Sequence, residues 1–163
     1  MSIIGSAKHL FGGHQVSVKM TEVEKQTPGE AVFPITDTVM KFHVEITGKK
    51  TVTVTEHVFQ VFLKNKKTEK EVLVAEENVD QDTEIIGAPY TLPYTLHPDK
   101  PVTDNCCMIE VDVEKALEKM NVSADQALGD NSPVSFFVRF TARIKGTLVD
   151  PDCESELRLI PSC

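Results

Sequence analysis

Tryptophan is absent from this 163-residue chain, and tyrosine occurs only twice, at Tyr90 and Tyr94. A carbohydrate platform or a base-stacking surface would have to rest on phenylalanine, histidine and those two phenols. No stretch of about 18 apolar residues occurs, so no helical membrane span is expected. The opening "MSIIGSAKHLFGGHQ" lacks the long apolar core of a secretory leader. Cysteine is scarce as well. Of the four present, Cys106 and Cys107 are adjacent, whereas Cys153 and Cys163 lie near the end. Neighbours in a strand face opposite ways, so a bridge between the first two would need unusual geometry. No C-x-x-C pair or His–Cys ligand spacing occurs. A reducing, cytoplasmic setting is expected.

Positive charge is also in deficit. Seventeen Lys and Arg face 25 Asp and Glu, for a net charge of −8. Binding to nucleic acid or an anionic bilayer draws on basic residues that displace phosphate counterions. Bulk electrostatics therefore opposes both, and neither is an expected partner. The one lysine-rich stretch, "LKNKKTEK" (Leu63 to Lys70), carries interleaved acids and reads as a solvated hairpin loop. With 40% hydrophobic and 26% charged residues, the composition is that of a globular protein. The length favours one domain over residues 1–163, since domains commonly hold roughly 100–200 residues. At this size about 70% of the unfolded surface can be buried, enough for a core without staples.

What the chain does contain is period-two alternation. "HQVSVKMTEVE" sets Val16, Val18 and Met20 on one face. "TVMKFHVEIT" sets Met40, Phe42, Val44 and Ile46 against Lys41, His43 and Glu45. "SFFVRFTARIK" sets Phe136, Val138, Phe140, Ala142 and Ile144 against Arg139, Thr141, Arg143 and Lys145. A sheet with one wet and one dry face requires this pattern. In "TVTVTEHVFQVFL" the apolar phase changes near Glu56 and His57, from Val52 and Val54 to Phe59, Val61 and Leu63, as a bulge would cause. Shorter strands are expected at "KEVLVAE", "YTLPYTL", "CCMIEVDV" and "ELRLIP". Strands at such intervals, with turn residues between them, point to an all-β antiparallel sandwich of arrestin-like or immunoglobulin-like type.

Two segments follow helical spacing instead. Ile3, Ile4, Ala7, Leu10 and Phe11 predict a short N-terminal helix over residues 1–13, stopped by Gly12 and Gly13. Val113, Ala116, Leu117 and Met120 predict another, and Ser123 with Gln126 has capping-box spacing before Gly129. One or two short helices are therefore expected in a crossover over residues 113–129. Pro28 and Gly29 suit the central positions of a type II turn. Pro34, lacking an N–H, belongs at a sheet edge or bulge.

Chemistry-bearing motifs are missing: no P-loop, G-x-G-x-x-G, G-x-S-x-G or H-E-x-x-H occurs. His43 and His57 fall in expected strands on faces that read as wet or ambiguous, and His97 falls in a Pro-rich loop. Cys107 shares a phase with Ile109, Val111 and Val113, which makes it a small core residue in preference to a nucleophile. Two acidic clusters alternate, Asp80, Asp82 and Glu84, and Asp150, Asp152 and Glu154. Hard cations take several oxygens, so Asp150, Asp152 and Glu154 are the candidate metal ligands. Neither cluster has an EF-hand's glycine and distal glutamate, and solvated turns account for both. No catalytic residues and no cofactor are expected.

Taken together, "IGSAK", "TPGEAV", "VMKFHVEI" and "TVTVTEHVFQVFLKNK" resemble the opening of the bacterial sporulation-control proteins with an arrestin-like fold. The closing "FFVRFTARIKGTLVDPDCESELRLIP" is similar to that family's last strand, Asp-Pro-x-acidic turn and final strand. "YTLPYTLHPDKPVT" resembles the Pro-rich stretch before a strand in arrestin lobes, and Val113 to Met120 would match the helix beside the lobe. The chain has the length of one lobe, where such proteins usually carry two. The resemblance implies a non-enzymatic scaffold or regulator, linked to sporulation or stress control, that binds a protein partner through an edge strand or end loops. The places to look are the strand near Pro34 and the N-terminal helix, in a monomer or small homo-oligomer. Two other readings follow from the strand rhythm and the acidic loop: a Ca²⁺-dependent C2-like module for membranes or ligands, and a jelly-roll structural subunit of a virion.

Overall fold

A computed structural model describes residues 5–7, 16–23, 31–83 and 90–161. Ten strands and two short helices follow in the order β1 (Gly5–Ala7), β2 (Val16–Val23), β3 (Val32–Pro34), β4 (Val39–Gly48), β5 (Val52–Asn65), β6 (Glu71–Val79), β7 (Tyr94–Leu96), β8 (Val102–Glu110), α1 (Val113–Lys119), α2 (Ala124–Leu128), β9 (Val134–Ile144) and β10 (Asp152–Ile160). The larger sheet runs β1-β10-β9-β5-β6, with β3 added to β10 and β7 to β5, and the smaller runs β2-β4-β8. All pairings are antiparallel except β3 with β10. The molecule is an all-β sandwich.

Alternation in the sequence dictates which side chains fill the space between the layers. Met40, Phe42, Val44 and Ile46 from β4 face Phe59, Val61 and Leu63 from β5 and Phe136, Val138 and Phe140 from β9, all of them buried. Phe42 meets Phe59 edge-on at 5.2 Å between ring centroids, and Phe59 lies 5.1 Å from Phe140. Phe33 stacks on Phe136 at 5.5 Å. Offset and edge-to-face pairs of this kind add to the burial of each ring.

The crossover forms where the spacing predicts it. Asp112 caps α1 by accepting from the Lys115 N–H, and Ser123 with Gln126 closes a full capping box on α2, with Gly129 at its end. The "LKNKKTEK" loop is a hairpin turn in which Asn65 Oδ1 accepts from the N–H groups of Lys67 and Thr68. Pro34 sits at the end of β3, opposite Ile160 on the edge of β10.

The N-terminal expectation needs correction. Gly5–Ala7 is a strand, in register with Cys153 to Ser155 of β10, and not part of a helix. The unpaired edge of β10 offers three residues of ladder bonds. Gly5 and Ser6 give a helix through that point little intrinsic propensity to set against them. The rest of the expected helix, the Pro28-Gly29 corner and the side chains of Cys106 and Cys107 lie outside the described residues.

Candidate functional site

His57 of the larger sheet and Asp104 of the smaller one are carried into the dry interior, each through a β-bulge. On β5, Val54 pairs with Ile144 but Glu56 pairs with Arg143, so Thr55 has no counterpart. This is the phase change legible at Glu56 and His57. Beyond it the inward set becomes His57, Phe59, Val61 and Leu63. His57 is accordingly 0% exposed, which corrects the wet or ambiguous face expected for it. On β8, Cys107 pairs with Phe42 and Asp104 with Val44, so two residues of β8 oppose His43 alone. Directly opposed residues of an antiparallel pair share a face. Asp104 therefore points inward beside Val44, and only 2% of it is exposed.

The two meet across the sandwich. His57 Nδ1 lies 3.5 Å from Asp104 Oδ2 and 3.0 Å from the Tyr90 hydroxyl, and His57 Nε2 lies 2.9 Å from the Tyr94 hydroxyl. Tyr90 O–H donates to Asp104 Oδ2. With that proton committed, the Tyr90 oxygen accepts from His57 Nδ1–H, which leaves Nε2 to accept from Tyr94 O–H. The bonds then run in one direction, from Tyr94 through His57 and Tyr90 to the carboxylate. Burial, and then the charge of Asp104, push the Tyr94 phenol well above its usual value, so it keeps the proton it donates. The rings of Phe59 and Phe140 pack edge-on against the imidazole at 6.3 and 5.1 Å. Burying an ionisable pair is costly unless its hydrogen bonds are made, and here each named polar atom has a partner. The sequence around these residues does not announce the cluster, because Asp104 and Tyr94 stand in unremarkable strands and Tyr90 in the connection before β7. The bulge at Glu56 and His57 was its one visible trace.

The residues nominated from sequence have other partners. Asp150 Oδ1 accepts from the Ile144 N–H at 2.9 Å and from Thr147 Oγ1 at 3.2 Å, fixing the turn between β9 and β10. Glu154 Oε2 receives two bonds from the Arg139 guanidinium, at 2.6 and 3.0 Å. Asp152 begins β10 with Oδ1 buried and unbonded. Among the described residues, no group of three or more His, Cys, Asp or Glu could hold a metal ion. Asp80 shapes its own turn by accepting from the Asp82 N–H and from Thr83 Oγ1, and Glu84 lies outside the described residues. His97 is exposed. Cys153 is fully buried, and burial followed by the nearby Asp152 charge pushes its thiol up to about 12. A thiol held protonated in this way is a core residue and a poor nucleophile.

The surface offers a different kind of feature. β6 ends the larger sheet and β8 ends the smaller one. Between them opens a groove of about 540 Å³, bordered by Leu73 and Val74 of β6, Glu110 at the end of β8, and Lys115, Ala116 and Lys119 of α1. Leu73 is among the few large apolar residues left exposed.

No protein-family model matches the chain, and no curated protein matches it. Among solved structures, a b-glucosidase from Erythrobacter marinus is similar at 12% identity and a TM-score of 0.32, covering 89% of this chain and 16% of that one.

Proposed function

We propose that this chain is a non-catalytic, protein-binding β-sandwich, a scaffold or regulator of the arrestin-like kind that takes hold of a partner at an open strand edge. On the resemblance to sporulation-control proteins, its setting is the control of sporulation or stress. The observation that carries the reading is β6. Among the described residues this nine-residue strand pairs only with β5, so its outer edge is open, and its Leu73 and Val74 border the groove beside α1. An extended segment laid there gains main-chain hydrogen bonds, and a side chain placed beside Leu73 adds apolar contact. The bulge opposite Val61 and Phe62 and the exposed Glu71, Glu76 and Glu77 discourage pairing with an arbitrary strand. They favour a partner segment that carries basic side chains.

The sealed network supports the same reading. Its imidazole and carboxylate have no solvent-facing surface on which a substrate could sit. The two places first expected to bind are poorer candidates. β3 is three residues long with all of its side chains buried, and the N-terminal segment contributes a strand to β10.

The test is affinity capture from the native host with the unaltered chain and with Leu73→Lys/Glu76→Lys, each checked for folding by circular dichroism. A partner held by the first and lost by the second is the expected result. Equal capture by both chains would reject the edge as the binding surface.

A further inference from the structure

Among the described residues, three connections gather at one end of the sandwich. Pairing of Val52 with Leu96, Val54 with Ile144 and Ile46 with Val102 brings residues 49–51, 97–101 and 145–151 to the same end. They carry the exposed Lys49, Lys50, Lys100 and Lys145 against two carboxylates, Asp99 and Asp150, and Asp150 is engaged by Ile144 and Thr147. A chain of net charge −8 thus has a locally basic end.

From that end project two exposed apolar side chains. Leu148 is fully exposed and Val149 is 53% exposed. The turn presenting them is tightly built. Gly146 takes φ +84°, a conformation that favours glycine. Thr147 Oγ1 donates to the Ile144 carbonyl, the Ala142 N–H donates to the Pro151 carbonyl, and the Lys145 N–H ties the turn to Thr53 of β5. These bonds fix the chain close to the leucine and valine, whose side chains stand out from the sandwich.

We infer that this end docks on an anionic lipid surface, with Leu148 and Val149 entering the acyl boundary and the four lysines meeting the headgroups. Charge complementarity selects the occupant, since each basic residue near an anionic leaflet strengthens attachment by roughly fivefold. Shape agrees. Two apolar side chains on a convex tip suit a yielding hydrocarbon boundary, which needs no preformed pocket to receive them. The inference is independent of the β6 edge, which lies along the side of the sandwich. The unfavourable bulk charge noted in the sequence acts beyond about 10 Å only when salt is low, because screening confines each charge to its neighbourhood.

Flotation with phosphatidylcholine vesicles, pure or with roughly a third phosphatidylserine, tests it. EDTA is present throughout, so that any attachment seen is independent of calcium. The unaltered chain should float with the phosphatidylserine vesicles alone and be released by high salt. Leu148→Glu/Val149→Glu and Lys49→Glu/Lys50→Glu should each weaken attachment tenfold or more. Lys66→Glu/Lys67→Glu, an equal charge change in the β5–β6 turn, should leave it within twofold. All altered positions are exposed, and circular dichroism confirms folding. Failure of the unaltered chain to float with phosphatidylserine vesicles would overturn the inference. Equal loss in all three variants would overturn it too, since only total charge would then matter.

Discussion

Replacing Asp104 with alanine should destabilise the fold far more than removing a surface carboxylate. The carboxylate is 2% exposed, accepts the Tyr90 hydroxyl and faces His57 Nδ1 at 3.5 Å. Its loss removes a charge-assisted hydrogen bond, worth about 1.5–3 kcal/mol. It also leaves Tyr90 and His57 buried without the acceptor that terminates their chain. Breaking a buried pair from one side costs about 3–5 kcal/mol, and a loss of about 3–4 kcal/mol is expected here. For a domain of this size each kcal/mol lowers the melting temperature by roughly 2–4 °C, so a fall of roughly 6–16 °C should follow. Asp104→Asn retains the volume and one acceptor oxygen and should cost about half as much. Urea unfolding followed by far-ultraviolet circular dichroism reports the global transition. Tyrosine emission reports the network itself, because the chain has no tryptophan and its two tyrosines both belong to the cluster. A double-mutant cycle with His57→Ala should give a coupling of at least about 1 kcal/mol. An Asp104→Ala loss below about 1 kcal/mol, or a coupling of zero, would refute the view that the network joins the two sheets.

Other consequences can be checked in the same assays. Phe42→Ala and Phe140→Ala should each cost about 3–5 kcal/mol in urea unfolding, since both rings are completely enclosed. Cys153, raised to about 12 in the folded chain, holds its proton where the unfolded chain, with a thiol near 8.5, releases it. Its contribution is fully present below about pH 8.5 and is lost as pH climbs toward 12, at up to about 1.4 kcal/mol per pH unit. Cys153→Ala should flatten that slope between about pH 9 and 10, before the tyrosines of the unfolded chain begin to ionise. Gly146→Ala meets no neighbouring atom within 4 Å, so its cost of about 1 kcal/mol should come from backbone strain alone. Removing the exposed Arg143, which bridges to Glu56 at 2.8 Å, should change stability by less than about 1 kcal/mol.

The layers of the sandwich were legible because they follow from local alternation. Met40 to Ile46 and Phe136 to Ile144 each present an inward face that a period of two reveals, and Ser123 with Gln126 announces a helix start within four residues. The bulge in β5 was legible for the same reason, as a slip of phase. The polar network was not, because it depends on pairing between distant strands. Asp104 turns inward only in relation to Val44 and Phe42 on β4, and no window of sequence around it contains those partners. The N-terminal strand failed for a related reason. Ile3, Ile4 and Ala7 fit a helical stripe, but the conformation of Gly5–Ala7 is decided by the free edge of β10, about 150 residues away. The acidic run at Asp150 to Glu154 reads alike in composition whatever its carboxylates do. Asp150 serves a turn and Glu154 a guanidinium, which only the structure shows.

Each bulge takes up one residue for which strict alternation has no place. Losing Thr55 would leave Val54 and His57 on the same inward row, with Glu56 still opposite Arg143, and losing one of the two residues between Asp104 and Cys107 would leave the carboxylate beside Val44. The internal acid and base therefore tolerate a lost codon at either bulge, whereas a residue lost from a regular stretch of β5 or β8 would turn the side chains on one side of it to the opposite face.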